Sequence, residues 1–489
     1  MSVLRVVQNG ASQTIAFAGT PMLSDVLEKH GFAVAHPCGG RGVCQKCAVE
    51  VSGAVSAPNE AELRAGKRLE CQIRLLGDST VVLPQAKEIA VEMQGANPAV
   101  PRENAAEGYG AALDVGTTTL ALRLYALSDG QCLGEAGMIN PQTAVAADVM
   151  GRIQVAIEGG LARLKEQVNQ AADRLLTRAA QSAGIMPGQV KTLVVTGNTT
   201  MLYLFTGRDP RSLSRAPFEA DCLFGLWKDQ AGRQMYLPRC MNAFVGADIT
   251  CAALVSGICG KAETALLCDI GTNGEIALWK KGRLYVTSTA AGPAFEGAGI
   301  TCGCSSIEGA IDRVWTENGQ LRVHTLGNAP AVGVCGSGLI DAVAALLQTG
   351  NVDETGAMEP DQVKLAENVA LMPADIRAVQ LAKAAIAAGI RSLLHQSATA
   401  MEEIQSLTIA GGFGSHLDLG NAAAIGLIPS MLVPRARCVG NAALAGAADI
   451  LLNPDALRES ERIAALATHV NLGGNPYFNE CYMEQMMFE

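Results

Sequence analysis

Apolar and polar positions first fall into a regular pattern at the N-terminus. MSVLRVVQNGASQTIAFAGT reads as two strands around Asn9-Gly10, the dipeptide favoured in tight hairpins. Thr20-Pro21 then predicts a helix start, with a capping residue followed by proline at the first helical position. A further strand-like run, LECQIRLL, precedes Val81-Val82-Leu83-Pro84, after which periodicity is lost. The stretch QAKEIAVEMQGANPAVPRENAAEG mixes charge, Pro, Asn and Gly and has linker composition. From Tyr109 onward apolar strands alternate with Ala-rich helices. Strands are expected at 110–115, 119–126, 131–138, 191–196, 264–270, 274–280 and 283–289, with later ones near 405–410 and 436–440. Helices are expected at 146–157, 160–183, 246–257, 337–348, 374–397 and 441–452. Strand–turn–strand followed by helices occurs twice, from Ala111-Ala112-Leu113-Asp114 and from Leu266-Leu267-Cys268-Asp269. This predicts an internal duplication with two lobes, and a cleft between lobes is where small ligands bind.

At 489 residues the chain is too long for one core. The pattern divides it into 1–86, a linker at 87–108, a first lobe at 109–245 and a second at 246–489. Half of the residues are hydrophobic (49%) but only 4% are aromatic, a mix suited to closely packed α/β layers. A net charge of −10 without a basic block argues against a nucleic-acid partner. No apolar run approaches the length of a membrane span, and the N-terminus begins as a strand and not as a signal segment. The 15 cysteines of such a chain are expected to be reduced thiols and metal ligands, and a cytoplasmic location is expected.

Four cysteines change the picture. Cys38, Cys44 and Cys47 lie in HPCGGRGVCQKC with C-x5-C-x2-C spacing, and Cys71 follows in LECQIRLL. Thiolates are soft ligands, and four of them complete the ligand set of a [2Fe–2S] centre. Gly39, Gly40 and Gly42 let the intervening backbone curl and aim amides at sulfur. Zinc is the alternative, but zinc ribbons usually carry two C-x2-C pairs and this segment has one. Hairpin, helix, cysteine loop, strand and last cysteine together resemble a β-grasp ferredoxin.

Two turns carry a second chemistry. LDVGTTTLALRLY sets Asp114, Gly116, Thr117, Thr118 and Thr119 between two strands, and CDIGTNGEIALW repeats the plan with Asp269, Gly271, Thr272, Asn273, Gly274 and Glu275. Glycine admits a phosphate close to the backbone, hydroxyls and amides donate to it, and an aspartate at the strand end suits Mg²⁺. A third run, LTIAGGFGSHLDLG, offers Gly411, Gly412, Phe413 and Gly414 to an adenine ring. Taken singly, each turn could be a plain hairpin. As an ordered set they resemble the duplicated, RNase H-like nucleotide clamp of acetate and sugar kinases, Hsc70 and actin, the ASKHA family. In that resemblance Gly246–Ile249 and Gly440–Gly446 fall at the two connecting helices. No G-x-x-x-x-G-K-[ST] and no G-x-G-x-x-G occurs.

A cluster-bearing head joined to an ATP clamp resembles the reductive activators of corrinoid proteins, the RACo-like type. Further runs of that kind are Asn140–Ile153, Val195–Met201, Ala291–Ile300 and Val334–Val343. The resemblance implies ATP-dependent transfer of one electron from a [2Fe–2S] cluster to Co(II) cobalamin, regenerating Co(I), with MgATP as cofactor. It implies a corrinoid protein and an external low-potential donor as partners, and leaves a homodimer open. Relatives often carry one more domain between head and clamp, for which this linker has no room. A cluster near about −400 mV facing a gap of roughly 100–200 mV would need about 2–5 kcal/mol. Coupling between sites typically supplies about 1–3 kcal/mol, enough for a small gap. Other readings are an activator of a different metalloenzyme, such as a 2-hydroxyacyl-CoA dehydratase, and a nucleotide-binding redox sensor.

Among the remaining candidates, Asp148 is the one expected to orient an attacking water, with a solvated helix carboxylate as the alternative. Glu296 could line the cleft or cap a turn. Cys335 sits where dehydratase activators hold a cluster but has no second cysteine nearby, so a buried structural thiol is expected. Cys302 and Cys304 are expected to be unligated, and His36 to pack in its loop. CYMEQMMFE is expected to be a packed terminus in preference to a docking tail.

Overall fold

The computed structural model describes residues 2–8, 11–30, 32, 47–83, 107–230, 232–412 and 416–488. Cys38, Cys44, His36, the glycines between those two cysteines, the Asn9-Gly10 turn, Phe413 and Gly414 lie outside the described residues, as does most of the expected linker. The chain divides into two compact units, Met1–Glu88 with Pro141–Val155, and Ile89–Asn140 with Ala156–Glu489.

In the first unit β1 (Ser2–Gln8) and β2 (Ala11–Phe17) form the expected hairpin, with Gln8 opposite Ala11. The sheet adds β3 (Ala48–Val55), β4 (Arg68–Leu69) and β5 (Leu75–Val82) in the order β2-β1-β5-β3-β4. β1 and β5 are its parallel pair. Alternating Leu4 and Val6 of β1 join Ile15, Leu69, Ile73, Leu75 and Val81 in a closed core. Helix α1 (Leu23–Lys29) covers it with Leu23 and Leu27. This helix begins two residues later than Thr20-Pro21 predicts. Met22 is spent on a bridge to Arg74, and the Pro21 carbonyl accepts the Leu75 amide at 3.0 Å, so the backbone there is pinned as strand. Helix α2 (Glu60–Ala65) opens with a reciprocal cap between Asn59 and Glu62.

The second unit holds two six-stranded sheets of one plan. The first contains β6 (Tyr109–Val115), β7 (Thr119–Ala126), β8 (Cys132–Ile139), β9 (Val190–Thr196), β10 (Leu226–Gln230) and β11 (Arg233–Leu237), in the order β10-β11-β9-β6-β7-β8. The second contains β12 (Thr264–Ile270), β13 (Gly274–Lys280), β14 (Arg283–Thr289), β20 (Ile404–Ala410), β21 (Ala436–Cys438) and β22 (Ala467–His469), in the order β21-β20-β12-β13-β14-β22. In each, three antiparallel strands are extended by two parallel ones: β6 pairs β9 and β9 pairs β11, as β12 pairs β20 and β20 pairs β21. The duplication expected from the two turns is thus a repeat of sheet topology. Between β14 and β20 the chain inserts β15 (Ala310–Glu317), β16 (Gln320–Thr325), β17 (Gly333–Val334) and the hairpin β18 (Val363–Ala366) and β19 (Val369–Leu371). Neither small sheet was legible beforehand.

Helices cover both faces. Helix α4 (Leu161–Ser182) turns Leu164, Val168, Ala171, Leu175 and Ala179 inward, a stripe at helical spacing, and packs on β7 and β8. It follows the short α3 (Val149–Val155), and α5 (Thr199–Thr206) follows β9. Two further helices exchange repeats. Helix α6 (Ala247–Ser256), at the end of the first repeat, buries Ile249, Ala252 and Ala253 against Leu267, Ala277 and Val286 of the second sheet. Helix α10 (Ala442–Leu452), at the end of the second, buries Leu444, Ala447 and Ala448 against Ala112, Ala121 and Val194 of the first. They cross closely: a Cβ at Gly446 would lie 2.2 Å from the Cys251 carbonyl oxygen. The opposite face of the second sheet is covered by α7 (Gly336–Gln348) and α8 (Pro373–Gln396).

Smaller helices α9 (Leu419–Ala424), α11 (Pro454–Leu466) and α12 (Pro476–Glu484) complete the unit. The methionine-rich end is packed, as expected. Phe488 is buried, its amide donates to Glu354, and the carbonyls of Met486 and Met487 accept from Gln380 and the buried Lys383. Among the described residues no helix is long and apolar enough to cross a membrane.

Candidate functional site

The β6–β7 and β12–β13 turns face each other across one cleft. Its lining includes Asp114, Gly116, Thr117, Thr118 and Thr119 from the first turn and Asp269, Gly271, Thr272 and Asn273 from the second, with Gly411 and Gly412 beyond β20. The repeat builds this convergence, because equivalent strands end at the same place in the two sheets. Gly116 is required by proximity, since a Cβ there would lie 2.6 Å from the Thr119 carbonyl oxygen. Gly411 has φ +119° and no room for a Cβ, which would meet the Ile270 carbonyl oxygen at 2.3 Å. Asn140 steadies the first turn, its side chain donating to the Gly116 carbonyl and its amide to that of Thr118, both at 2.8 Å. Asn198 caps α5 and donates to Thr117 Oγ1 at 2.9 Å.

Carboxylates crowd one end. Burial pushes Asp114 up to about 6 against a hydrogen bond from Asn441. Burial, then repulsion from Asp114 and Glu296, pushes Asp269 up to about 7. Asp248, at the start of α6, is pushed up to about 8 by burial and by Asp269. Glu275 is raised by burial and by Asp248 and Asp269. Buried like charges of this kind call for a hard cation, and every donor is oxygen, which fits Mg²⁺. No group of three or more His, Cys, Asp or Glu among the described residues forms a ready cage. That also fits Mg²⁺, which takes one or two carboxylates and completes its shell with nucleotide phosphate and water.

A stability prediction follows from the direction of these shifts. Between an ordinary carboxylate value near about 4 and the raised values of about 6 to 8, the folded chain holds protons that the unfolded chain has released. Stability of the Mg²⁺-free protein therefore falls as pH rises through that window, by up to about 1.4 kcal/mol per pH unit for each such proton. Thermal melts from pH 5 to 8 with and without MgCl₂ check this. Mg²⁺ is expected to stabilise most at the upper end, and Asp248→Asn to flatten the metal-free profile.

The cysteine site is half described. Cys47 and Cys71 are buried, and the Cys47 thiol donates to Cys71 Sγ at 3.3 Å. The Glu70 amide donates to the Cys47 carbonyl at 2.9 Å, which ties the short turn carrying Cys71 to the end of the cysteine loop. The hydrogen bond to Cys71 and then burial hold the Cys47 thiol far above the usual range. Two buried sulfurs this close, from segments 24 residues apart, fit ligation of a shared metal centre. Gln72 Nε2 approaches Cys71 Sγ at 3.4 Å, with its own Oε1 held by Asn59.

Not every sequence candidate gathers here. Gly274 is absent from the cleft lining; a Cβ there would lie 2.7 Å from Ile386 Cγ1, so it serves the packing of β13 on α8. Asp148 belongs to the other unit and is exposed, with Oδ1 accepting the Gly151 amide at 2.8 Å at the start of α3. Cys335 is buried, with Sγ directed to the Ile311 carbonyl at 3.3 Å. Glu275 of the second turn lines the cleft as that motif predicts, and Asn198, Asp248 and Asn441 line it without having been singled out. A signal existed for Asp248 and Asn441, since each follows a glycine that opens a connecting helix. Asn198 could have been found as a cap after Gly197.

Residues 6–76 match the 2Fe-2S iron-sulfur cluster binding domain, residues 109–261 the RACo middle region, and residues 263–489 the C-terminal domain of RACo, the ASKHA domain. The chain is 34% identical over 419 residues to the corrinoid activation enzyme RamQ of Eubacterium limosum, covering 78% of this chain and 70% of that protein. It is 25% identical over 422 residues to the [Co(II) methylated amine-specific corrinoid protein] reductase of Methanosarcina barkeri, covering 78% and 77%. A solved reductive activator for corrinoid,iron-sulfur protein superposes with a TM-score of 0.74 at 26% identity, covering 99% of this chain and 98% of that one.

Proposed function

This chain belongs to the RACo family of corrinoid-activating proteins, and on that premise we propose that it is an ATP-dependent reductase that returns a corrinoid protein from Co(II) to Co(I). The observation that carries the reading is the pairing on one chain of a [2Fe–2S] binding domain with a two-turn phosphate cleft. In this assignment Cys38, Cys44, Cys47 and Cys71 hold the cluster. Asp114 to Thr119 and Asp269 to Asn273 hold the phosphates and Mg²⁺, and Gly411 to Gly414 face the adenosine. Residues 1–86 form the electron-carrying head and 109–245 and 246–489 the halves of the clamp. An external low-potential donor supplies the electron, and the cytoplasm is the expected setting.

ATP is needed because the electron runs uphill. A deficit of about 59 mV costs about 1.4 kcal/mol for one electron. Closing the halves on MgATP favours the complex in which cobalt has lost an axial ligand, which brings its potential within reach of the cluster. The test is Co(II) reduction of a cognate corrinoid protein by the reconstituted chain with and without MgATP. The expected result is a larger Co(I) yield with MgATP; equal yields would defeat the proposal.

A further inference from the structure

Glu296 ends the short turn Pro293–Glu296, in the GPAFEG run, and its carboxylate reaches into the cleft between the two phosphate turns. Thr118 Oγ1 donates to Glu296 Oε2 at 2.5 Å and Thr272 Oγ1 donates to the same oxygen at 2.7 Å. The two hydroxyl oxygens are 3.1 Å apart, so first and second repeats meet at this carboxylate. The other oxygen, Oε1, stands 3.3 Å from the position a Cβ would take on Gly271, over the bare backbone of the second turn. A threonine hydroxyl has one proton to donate. With both protons given to Glu296, neither hydroxyl can donate to a phosphate, and a second anion beside the carboxylate is repelled.

Resting on the nucleotide reading above, we propose that Glu296 sets the discrimination between nucleoside triphosphate and diphosphate. Its carboxylate occupies the two threonine donors that the innermost phosphate requires, and that phosphate enters only by displacing it. A diphosphate that stops short leaves the Thr118–Glu296–Thr272 bridge closed. A triphosphate replaces the carboxylate with its own oxygens and takes over the link between repeats. The residue thereby turns the presence of one phosphate into a change in what joins the two halves of the clamp.

The test measures binding of Mg²⁺ with a non-hydrolysable ATP analogue, ADP or AMP by titration calorimetry. It uses the full chain and its Glu296→Gln and Glu296→Ala variants, with thermal melts as a check on folding. Glutamine keeps the shape and removes the charge. The expected result is an analogue affinity that rises about tenfold in E296Q while ADP affinity stays within about twofold. E296A should show the same selectivity without the glutamine's residual hydrogen bonds. Analogue and ADP moving together, or analogue binding weakened in both variants, would overturn the proposal, since Glu296 would then be a structural bridge or a cation ligand. Unchanged affinities with a loss of ATP turnover would overturn it in favour of a base. A wild-type chain that binds no nucleotide would instead remove the reading on which it rests.

Discussion

Cys71→Ser is expected to yield a chain that assembles no stable [2Fe–2S] cluster and reduces Co(II) corrinoid no faster than buffer, while binding MgATP as the wild type does. Cys71 is 7% exposed, on a short turn whose Glu70 amide is bonded to the Cys47 carbonyl at 2.9 Å. Its sulfur therefore has a fixed position 3.3 Å from that of Cys47 and cannot be replaced by a neighbour. A serine hydroxyl is a harder, poorer ligand for iron, and its shorter Cβ–O bond leaves the site short of one donor. Loss of one thiolate also leaves the buried Cys47 without the cation that would lower its pKa. The head lies in a different compact unit from the cleft, so nucleotide affinity should survive. Visible absorption after anoxic reconstitution, iron content and calorimetry with MgATP read the three parts separately. A Cys71→Ser chain that kept a wild-type spectrum would remove Cys71 from the ligand set.

Legibility in the sequence followed the range of the forces involved. The antiparallel strands β6, β7, β12, β13 and β14 were readable because apolar runs broken by glycine-containing turns are local signals, and the cleft was readable because the repeat puts two such turns in one place. Strands β10, β11 and β15 to β19 were missed because β17 to β19 run for only two to four residues, and the hairpins β10–β11 and β15–β16 interrupt their apolar positions with charged and polar ones. The start of α1 was misplaced because a bridge from Met22 to Arg74, 52 residues on in the printed sequence, overrides a good local cap. Gly274 stands against α8 and outside the cleft lining, and a glycine that admits a phosphate and one that admits a helix read alike in sequence. Contact with Ile386 and Thr289 separates them. The carboxylates Asp248 and Glu275 come from a helix start and a strand, and their common cleft exists only after the two repeats have closed.

Gly446→Val is expected to loosen the join between the two halves of the clamp and to weaken nucleotide binding with it. Helices α6 and α10 each end one repeat and cover the sheet of the other, so their crossing holds the halves together. At that crossing a Cβ on Gly446 would stand 2.2 Å from the Cys251 carbonyl oxygen and 2.7 Å from Cys251 Cα. Backbone on the far side cannot yield as a side-chain tip can, so the helices must separate. Overpacking of this kind costs about 1–3 kcal/mol, and more where the partner is backbone. Separation also moves both helix starts. Asn441, whose Nδ2 donates to Asp114 Oδ2 at 3.0 Å, leaves the first turn, and Asp248 leaves the carboxylate cluster. The variant should therefore melt several degrees lower and bind MgATP at least about tenfold more weakly, with the cluster spectrum unchanged. Gly260→Ala provides the contrast, because a Cβ there meets no atom within 4 Å and φ is in the ordinary region. A Gly446→Val chain with wild-type melting and nucleotide affinity would mean that the two halves are joined somewhere other than this crossing.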